Sequence, residues 1–441
     1  MVFGKKSLLV AITVSAFCKT AIPQNKLPFA SPAEFELDGN FISEKVDSIM
    51  GLGIQQEAFP GAQLLVAKND TIIFHKAYGY HTYDSIQPVA LDDIYDLASV
   101  TKITGPLPAL MKMVDEHQLD LDKPFSTYWK PWRHRKDKKE LTLRQILSHQ
   151  AGLIPYIIFL QKVMKKEKIK KRFIRNQQSK KFNKQVYSNL YISNHFERKM
   201  HRMINRSKVS DEKKYRYSGL SFLIYPELIE QLTKTAYETY LKQNFYDPLG
   251  CTTLGFNPSK KGFPNSIVPT EKDTLFRKAL VQGWVHDENA ALKGGVSGNA
   301  GLFGTAHDLA KIMLFYKNYG AVGNKQLISK EVVKEFTTVQ FPENENRRGL
   351  GFDKPLLGND TLAIKEAYPS PLASKSSFGH SGFTGTFVWA DPENELVFIF
   401  LSNRVYPFRD HRNLYELNIR TELQDVFYRA STSMHNNYKD H

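Results

Sequence analysis

Two pairs of short apolar runs lie near opposite ends of the 441-residue chain. Residues 61–67 (GAQLLVA) and 71–79 (TIIFHKAYG) are rich in β-branched and aromatic side chains, and the turn-forming tripeptide KND separates them. Residues 384–391 (TGTFVWAD) and 396–403 (LVFIFLSN) repeat this arrangement around PEN. The two hairpins predict one antiparallel sheet that both ends of the chain complete.

Most of the chain between the hairpins has the apolar spacing of helices. The predicted helices cover 102–117, 220–234, 237–245 and 306–316, a further one starts at 143–148, and 410–430 is suited to lie on the sheet. Two prolines early in the first helix predict a kink. These patterns favour an α/β fold of the α+β type, with an antiparallel sheet flanked by helices and an inserted helical domain.

The N-terminus has the pattern of an export signal. A lysine pair precedes an apolar run over 7–17, which is too short to span a bilayer as a helix. Ala16 and Cys18 fit the small-residue positions of a cleavage site, so we predict a signal peptide over 1–18 and a periplasmic or secreted protein. A lipid anchor at Cys18 is the alternative. No later segment predicts a transmembrane span, and loss of Cys18 would leave Cys251 without a disulfide partner.

Nearly all of the net charge of +15 lies in one segment. Residues 161–214 contain 18 Lys and Arg against four Asp and Glu, a net charge of +14. Interleaved aromatic residues are typical of nucleic-acid binding, but the predicted export argues against a nucleic-acid partner. We interpret the segment as a solvated, partly helical flap. The alternative is that this basic insertion draws cell-wall material or another anionic surface toward the protein.

Ser99 and Lys102 form an S-x-x-K tetrad. Positions three apart share a helix face, so the hydroxyl and the amine can meet. A serine hydroxyl is a weak nucleophile unless a base takes its proton, and a lysine can do so when burial or a neighbouring cation lowers its pKa. A second copy, Ser210 to Lys213, lies in a charged stretch. The first copy follows the mostly apolar run 94–98 and opens an amphipathic helix; a simple helix cap at Ser99 is the alternative reading.

Three stretches around the tetrad resemble one known family. DLASVTKI contains the tetrad, and LMKMVDEHQLDLDKP and LTLRQILSHQAGL follow it. Together they closely resemble the serine β-lactamase and penicillin-binding-protein family, in its class C-like branch of esterases and D-amino-acid peptidases, over about residues 61 to 407. The resemblance implies that the substrate acylates Ser99 and that Lys102 helps to deprotonate it. It implies no metal and no organic cofactor.

The second motif of this family is Tyr-x-Asn, and the sequence offers two candidates. YSN at Tyr187 matches the letters but lies inside the basic insertion. YSG at Tyr217 precedes the predicted helix 220–234 and a Pro-Leu-Gly segment, as the family pattern requires. The resemblance therefore implies that Tyr217 relays a proton between the nucleophile, Lys102 and the leaving group. Gly219 stands where the family usually has an Asn that holds the substrate's acylamide carbonyl, which disfavours β-lactams and peptides and favours other acyl groups.

His380, Ser381 and Gly382 occupy the place of the family's third motif, which is Lys-Thr-Gly in β-lactamases. The His version resembles the family's esterases and peptidases. A neutral imidazole can pass protons, whereas a charged one would attract a carboxylate. The resemblance implies that Ser381 and Gly382 line the substrate site and that the backbone amides of Ser99 and Phe383 form the oxyanion hole.

The segment GWVHDENA contains His286, Asp287 and Asn289. A Ser-His-Asp triad or a metal site is one reading of it. However, Ser99 already has a base, and no His or Cys spacing completes a zinc set. The family often has a similar segment along its cleft, which implies a structural or substrate-binding role for His286 and Asn289. We interpret His149 as a structural histidine with satisfied hydrogen bonds.

The sequence thus predicts an exported serine hydrolase that forms an acyl-enzyme at Ser99 and hydrolyses an ester, amide or D-peptide. Its partner would be a small-molecule or peptide acyl substrate. A true β-lactamase or D-Ala-D-Ala carboxypeptidase is one alternative, and a penicillin-binding sensor or wall-associated scaffold that acylates and stalls is another. The predicted parts after the signal are an N-terminal extension with a first helix (19–55), a hydrolase domain (56–407) and a C-terminal helix with a tail (408–441).

Overall fold

A computed structural model of the protein describes residues 26–263 and 265–431. The predicted signal peptide, including Cys18, lies outside these residues. Within them, no helix is both long enough and apolar enough to cross a membrane.

The central sheet is antiparallel and has five strands. In chain order they are β1 (Gly61–Lys68), β2 (Thr71–Gly79), β3 (Phe378–Ser381), β4 (Phe387–Asp391) and β5 (Leu396–Ser402). Their order in the sheet is β3-β4-β5-β1-β2, so β1 pairs with β5 and joins the two ends of the chain. The prediction of one antiparallel sheet completed by two terminal hairpins is confirmed.

Fourteen helices lie within the described residues, most of them between the hairpins. They are α1 (Gly39–Gln55), α2 (Thr101–Thr104), α3 (Pro106–Asp115), α4 (Leu143–Leu147), α5 (Leu160–Val163), α6 (Phe196–Arg206), α7 (Tyr225–Thr233), α8 (Tyr237–Leu241), α9 (Pro258–Lys261), α10 (Glu288–Leu292), α11 (Ala306–Lys317), α12 (Lys330–Thr337), α13 (Asn413–Glu416) and α14 (Ile419–Arg429).

Strand β1, which lies between β5 and β2, contributes to a core on each side of the sheet. Successive strand residues point to opposite faces. Leu64 and Val66 lie in the core that α1 and α14 cover. Leu65 and Ala67 lie in the larger core, which continues into the helical region. Because both faces are covered, residues 64–67 of β1 are all apolar instead of alternating with polar residues.

The predicted helix over 102–117 is two helices. α2 ends at Gly105, whose φ of −105° and ψ of −94° are not helical, and α3 begins at the next residue. Pro106 disfavours the helical conformation for the residue before it. The proline therefore divides the helix instead of kinking it, and α2 is left as a short support for the S-x-x-K tetrad.

The basic insertion is more ordered than the predicted flap. It contains α6, as the partly helical prediction required, and also a three-stranded sheet formed by Ile174–Arg175, Lys184–Tyr187 and Leu190–Ile192. Phe182 is 2% exposed. The apolar residues of the insertion thus form a packed layer, and its cations lie around that layer.

Candidate active site

Ser99 and Lys102 lie side by side where a 3₁₀ turn, Ala98–Val100, leads into α2. The Lys102 Nζ lies 2.8 Å from the Ser99 Oγ. Lys102 also donates to the backbone carbonyl of Asn299 at 2.9 Å. The lysine is 2% exposed, whereas Ser99 is half-buried. The amine is therefore held against a hydroxyl that a substrate can reach.

The third side chain at this point is Tyr217. Its hydroxyl lies 3.4 Å from the Ser99 Oγ. The Lys102 Nζ is 5.5 Å from the centre of the Tyr217 ring. On its other side the ring faces His149, with 4.6 Å between ring centres. The serine hydroxyl is thus within reach of two groups that can take or give a proton.

Hydrogen bonds fix the turn that presents Ser99. Ala98 has a φ of +45°, in the left-handed region that residues other than glycine seldom adopt. The buried carboxylate of Asp96 accepts the Ala98 amide at 2.8 Å and the His286 amide at 2.7 Å. Burial raises the pKa of Asp96 above its ordinary value. The Thr384 hydroxyl donates to the Asp96 carbonyl at 2.8 Å, which connects the turn to the loop after β3.

His380 lies on β3 beside these groups and is 3% exposed. Its Nδ1 lies 2.7 Å from the Ser381 carbonyl oxygen, so Nδ1 carries the proton. Its Nε2 is buried and has no hydrogen-bond partner among the residues described. Burial, followed by the positive charges of Arg348 and Lys102, lowers the pKa of His380 to about 3. The imidazole is therefore neutral at neutral pH, with a free acceptor nitrogen.

The loop after β3 brings Gly382 and Phe383 to the serine. A Cβ on Gly382 would lie 2.0 Å from the Thr386 Oγ1 and 2.6 Å from the Leu97 carbonyl oxygen, so only glycine fits. The Phe383 ring is 48% exposed and stacks on His286, with ring centres 5.9 Å apart. Its backbone amide donates no hydrogen bond to protein within residues 26–263 and 265–431. That amide is available to an oxyanion.

Gly219 borders an open space next to Lys102. A Cβ at this position would have a single neighbour within 4 Å, the Lys102 Cε at 4.0 Å. The Gly219 amide donates to the Pro155 carbonyl at 3.1 Å. Because Gly219 has no side chain and no described group other than Lys102 lies within 4 Å of its Cβ position, an open space remains beside Lys102.

His286 and Asn289 each have protein partners. The His286 Nε2 lies 2.8 Å from a Glu271 oxygen, and Arg409 pairs with the same carboxylate. Asn289 donates to the Ile157 carbonyl at 3.1 Å. These bonds connect the wall of the site to neighbouring loops, and His286 reaches the site through its stacking on Phe383.

The two alternative motifs lie apart from this cluster. Tyr187 lies in the small sheet of the insertion. Its hydroxyl donates to the Leu280 carbonyl, outside the insertion, at 3.0 Å. Lys213 donates to the carbonyls of Ala151 and Ser210, at 3.2 Å and 3.0 Å, and not to the Ser210 hydroxyl. In the part of the chain that the structure describes, neither Tyr187 nor Lys213 contacts Ser99.

Sequence reasoning missed two groups at the site. The Asn299 carbonyl, which orients Lys102, carries no signal in the sequence because any residue has a carbonyl. Arg348 is buried with its guanidinium 5.7 Å from the Tyr217 ring centre, and it pairs with Asp353 at 2.8 Å. Burial raises the pKa of Asp353, but the two neighbouring arginines outweigh it, so the net pKa lies below its ordinary value.

His149 is also closer to the site than expected. It accepts the Ser218 amide at 3.2 Å through Nδ1, while its Nε2 has no partner among the described residues. Burial, followed by the charge of Arg348, lowers its pKa well below the ordinary value. The expectation that its hydrogen bonds are all satisfied is therefore wrong for Nε2.

The described residues contain no group of three or more His, Cys, Asp or Glu that could hold a metal ion. The polar groups that meet at the site are one serine hydroxyl, one amine, one phenol and one neutral imidazole. Such a set can carry out acyl transfer, because it supplies a nucleophile, proton carriers and amide donors for a developing oxyanion.

Comparison with known proteins gives the family of the chain and several of its relatives. The family model described as Beta-lactamase matches residues 42–421. A protein from Salmonella gallinarum named "Putative D-alanyl-D-alanine carboxypeptidase" is 30% identical over 90% of this chain and 90% of its own. A protein of the same name from Escherichia coli O157:H7 is 31% identical over 82% of this chain and 81% of its own.

Solved structures with the same fold include hydrolases and penicillin-binding-protein homologues. EstCE1, a hydrolase with promiscuous acyltransferase activity, has a TM-score of 0.62 at 18% identity and covers 88% of this chain and 99% of its own. A penicillin-binding-protein homologue from Caulobacter crescentus has a TM-score of 0.60 at 16% identity, covering 88% of this chain and 98% of its own. These similarities establish the fold.

Proposed function

Because the chain belongs to the β-lactamase family of serine hydrolases, we propose that it forms an acyl-enzyme at Ser99 and hydrolyses an ester, amide or D-peptide substrate. One observation carries the proposal: the buried Lys102 amine lies 2.8 Å from the Ser99 hydroxyl. A lysine in this position can accept the hydroxyl proton as the oxygen attacks a carbonyl.

In the acylation step the Ser99 Oγ bonds to the substrate carbonyl carbon. Its proton passes to Lys102, either directly or through the Tyr217 hydroxyl at 3.4 Å. The carbonyl oxygen becomes an oxyanion that the amides of Ser99 and Phe383 hold. Collapse of this intermediate breaks the bond to the leaving group, which takes a proton from the Tyr217 hydroxyl while Lys102 returns the former Ser99 proton to Tyr217, so both side chains end as they began. Removal of one such amide donor typically costs about 3–4 kcal/mol of transition-state stabilisation.

In the deacylation step a water molecule attacks the acyl-enzyme and restores the Ser99 hydroxyl. Tyr217 and His380 are the two candidate bases. The neutral state of His380 and its unpartnered Nε2 support it as an acceptor for the water proton. Its low pKa makes it a weak base, so Tyr217 with Lys102 remains the first candidate.

The substrate class is the second part of the proposal. Gly219 has no side-chain amide to hold an acylamide carbonyl, which favours simple esters and other acyl groups. A D-Ala-D-Ala carboxypeptidase is the second candidate, and the names of the relatives from Salmonella gallinarum and Escherichia coli favour it. A stalled penicillin-binding sensor or scaffold is the third. We further propose that the protein is exported, as the N-terminal pattern indicates.

Steady-state hydrolysis of three substrates by protein lacking residues 1–18 tests the proposal. The substrates are a p-nitrophenyl ester, an acylated D-Ala-D-Ala peptide and a cephalosporin, each with Ser99→Ala beside the wild type. We expect Ser99-dependent turnover, with kcat/KM highest for the ester. A higher value for the peptide would establish the second candidate, and a single turnover followed by arrest would establish the third.

A further inference from the structure

Three arginines form a row along one face of α6 in the basic insertion. Arg198, Arg202 and Arg206 are spaced four residues apart and all three are exposed. Residues four apart on a helix lie on the same face, about 6 Å apart along its axis. We call these three residues the arginine row.

No carboxylate pairs with the arginine row within residues 26–263 and 265–431. The two acids nearest to α6 already have other partners. Glu197 pairs with Lys184 and Lys293, and Glu227 lies 2.7 Å from the His201 Nδ1. Burial opposes the ionised form of Glu197, but the two lysines outweigh it and lower its pKa to about 2. The row therefore keeps its full positive charge.

The arginine row lies between two grooves, and its residues line both. The larger groove, of about 1030 Å³, runs between α6, the 127–135 loop and α7. Lys130, Arg135 and Lys234 add three further cations to its lining, against the single acid Glu227. A groove with six cations and one acid has a strongly positive potential along its length.

A second, smaller groove is also lined by the three arginines of the row. It encloses about 780 Å³ between α6 and the segment containing Ile154 and Ile157. The same segment is bonded to residues near the candidate site, because the Ile154 carbonyl accepts the Ser218 hydroxyl and the Ile157 carbonyl accepts the Asn289 amide. Hydrogen bonds thus link the segment that lines this groove to two segments near the candidate site.

We propose that the arginine row and the larger groove form a binding site for a linear phosphate-bearing polymer. Guanidinium groups bind phosphate through paired hydrogen bonds, and a row of them suits successive phosphates of one chain. From Arg198 to Arg206 the row spans about 12 Å along the helix axis, which suits an extended ligand instead of a single ion. The proposal does not depend on the chemistry at Ser99.

The lining disfavours two other polyanionic partners. Binding of single-stranded nucleic acid uses exposed aromatic faces for base stacking. In this groove Trp129 is 3% exposed and its Nε1 donates to Asn205, and the Tyr128 hydroxyl accepts the Asp120 amide. Docking to a membrane requires protruding apolar side chains, but Leu232 is half-buried and Pro131 is the one exposed apolar residue among the described residues that line this groove.

Binding of fluorescently labelled linear polyphosphate to protein lacking residues 1–18 tests the proposal. Anisotropy titrations at several salt concentrations would compare the wild type with the triple variant Arg198→Gln/Arg202→Gln/Arg206→Gln. The matched control, Lys165→Gln/Lys168→Gln/Lys171→Gln, removes three exposed cations from elsewhere in the insertion. Thermal unfolding of each variant checks that the fold is kept.

We expect the triple arginine variant to bind at least about tenfold more weakly, while the lysine control changes Kd by less than about threefold. The slope of log Kd against log salt should fall by about 2 in the arginine variant, because each lost contact contributes about 0.7. Equal weakening in the two variants, or no binding by the wild type, would overturn the proposal. Tighter binding of a single-stranded oligonucleotide or of phosphatidylglycerol vesicles than of polyphosphate would overturn it also.

Discussion

Gly382 lies so close to Leu97 that a Cβ on the glycine would be 2.6 Å from the Leu97 carbonyl oxygen. Thr386 strengthens this contact, since its hydroxyl donates to the same carbonyl at 3.1 Å and its own carbonyl accepts the Gly382 amide at 2.7 Å. The end of β3 is thus packed directly on the turn that presents Ser99. Packing alone therefore requires a glycine at position 382, whether or not a substrate is bound.

Gly382→Ala should therefore disturb the site and the fold. We expect the free energy of unfolding to fall by about 1–3 kcal/mol, the usual cost of overpacking. Gly219→Ala is the matched control, since a Cβ there has 4.0 Å to its nearest neighbour and should change the free energy by less than about 1 kcal/mol. Urea unfolding measures both variants, and an equal loss in the two would contradict the packing argument.

Tyr217 and Tyr187 offer a matched pair for the proton relay. Tyr217→Phe removes the hydroxyl 3.4 Å from the Ser99 Oγ, and we expect kcat to fall by about 100-fold or more, the usual contribution of a positioned proton carrier. Tyr187→Phe removes a hydroxyl bonded to the Leu280 carbonyl and should leave kcat within about twofold. Ester hydrolysis by both variants measures this, and similar losses would remove Tyr217 from the mechanism.

Gly219→Asn should shift the preference between substrates. The open space beside Lys102 can hold the new amide, which would then donate to an acylamide carbonyl. We expect the acylation rate with a penicillin to rise at least about tenfold relative to the rate with a simple ester. A tenfold change corresponds to about 1.4 kcal/mol, which is the contribution expected from one good hydrogen bond. Stopped-flow acylation rates for both reagents give the ratio. An unchanged ratio would mean that the gap at Gly219 does not set the preference.

His380 should make the protein less stable in mild acid. Its folded pKa is about 3, against about 6.5 for an ordinary histidine, so between these values only the unfolded chain binds the proton. The free energy of unfolding therefore falls as pH drops below about 6.5, by about 1.4 kcal/mol at pH 5.5, and this group has no effect above that range.

Urea unfolding of His380→Gln against pH isolates this contribution. The variant should lose less stability than the wild type between pH 8 and pH 5.5 by the amount stated, and the exposed His134→Gln control should follow the wild type. Parallel curves for wild type and His380→Gln would show that the imidazole is not held neutral in the fold.

The sequence predicted the sheet because its strands are long and bounded by clear turns, and hairpin pairing is local. It predicted one kinked helix over 102–117, but the conformation that Pro106 imposes on Gly105 divides it into two. The small sheet of the basic insertion depends on pairing between short strands such as Ile174–Arg175 and Leu190–Ile192. Pairings of two or three residues leave too little pattern for prediction.

At the candidate site, the sequence motifs predicted which side chains meet at Ser99. They did not predict the contacts that orient those side chains. The Asn299 carbonyl on Lys102 and the Arg348 guanidinium beside Tyr217 come from segments almost 200 and more than 100 residues away along the chain. Only the tertiary fold brings these groups together. The roles of Ser381, His286 and Asn289 toward substrate stay predictions.

The central claim is that Ser99 is the nucleophile, and intact mass after exposure to a fluorophosphonate tests it most directly. Protein lacking residues 1–18 would be compared with Ser99→Ala and with Ser210→Ala, which alters the second S-x-x-K copy. We expect one phosphonyl adduct on the wild type and on Ser210→Ala, and none on Ser99→Ala. An adduct that persists in Ser99→Ala, or its absence from the folded wild type, would contradict the account.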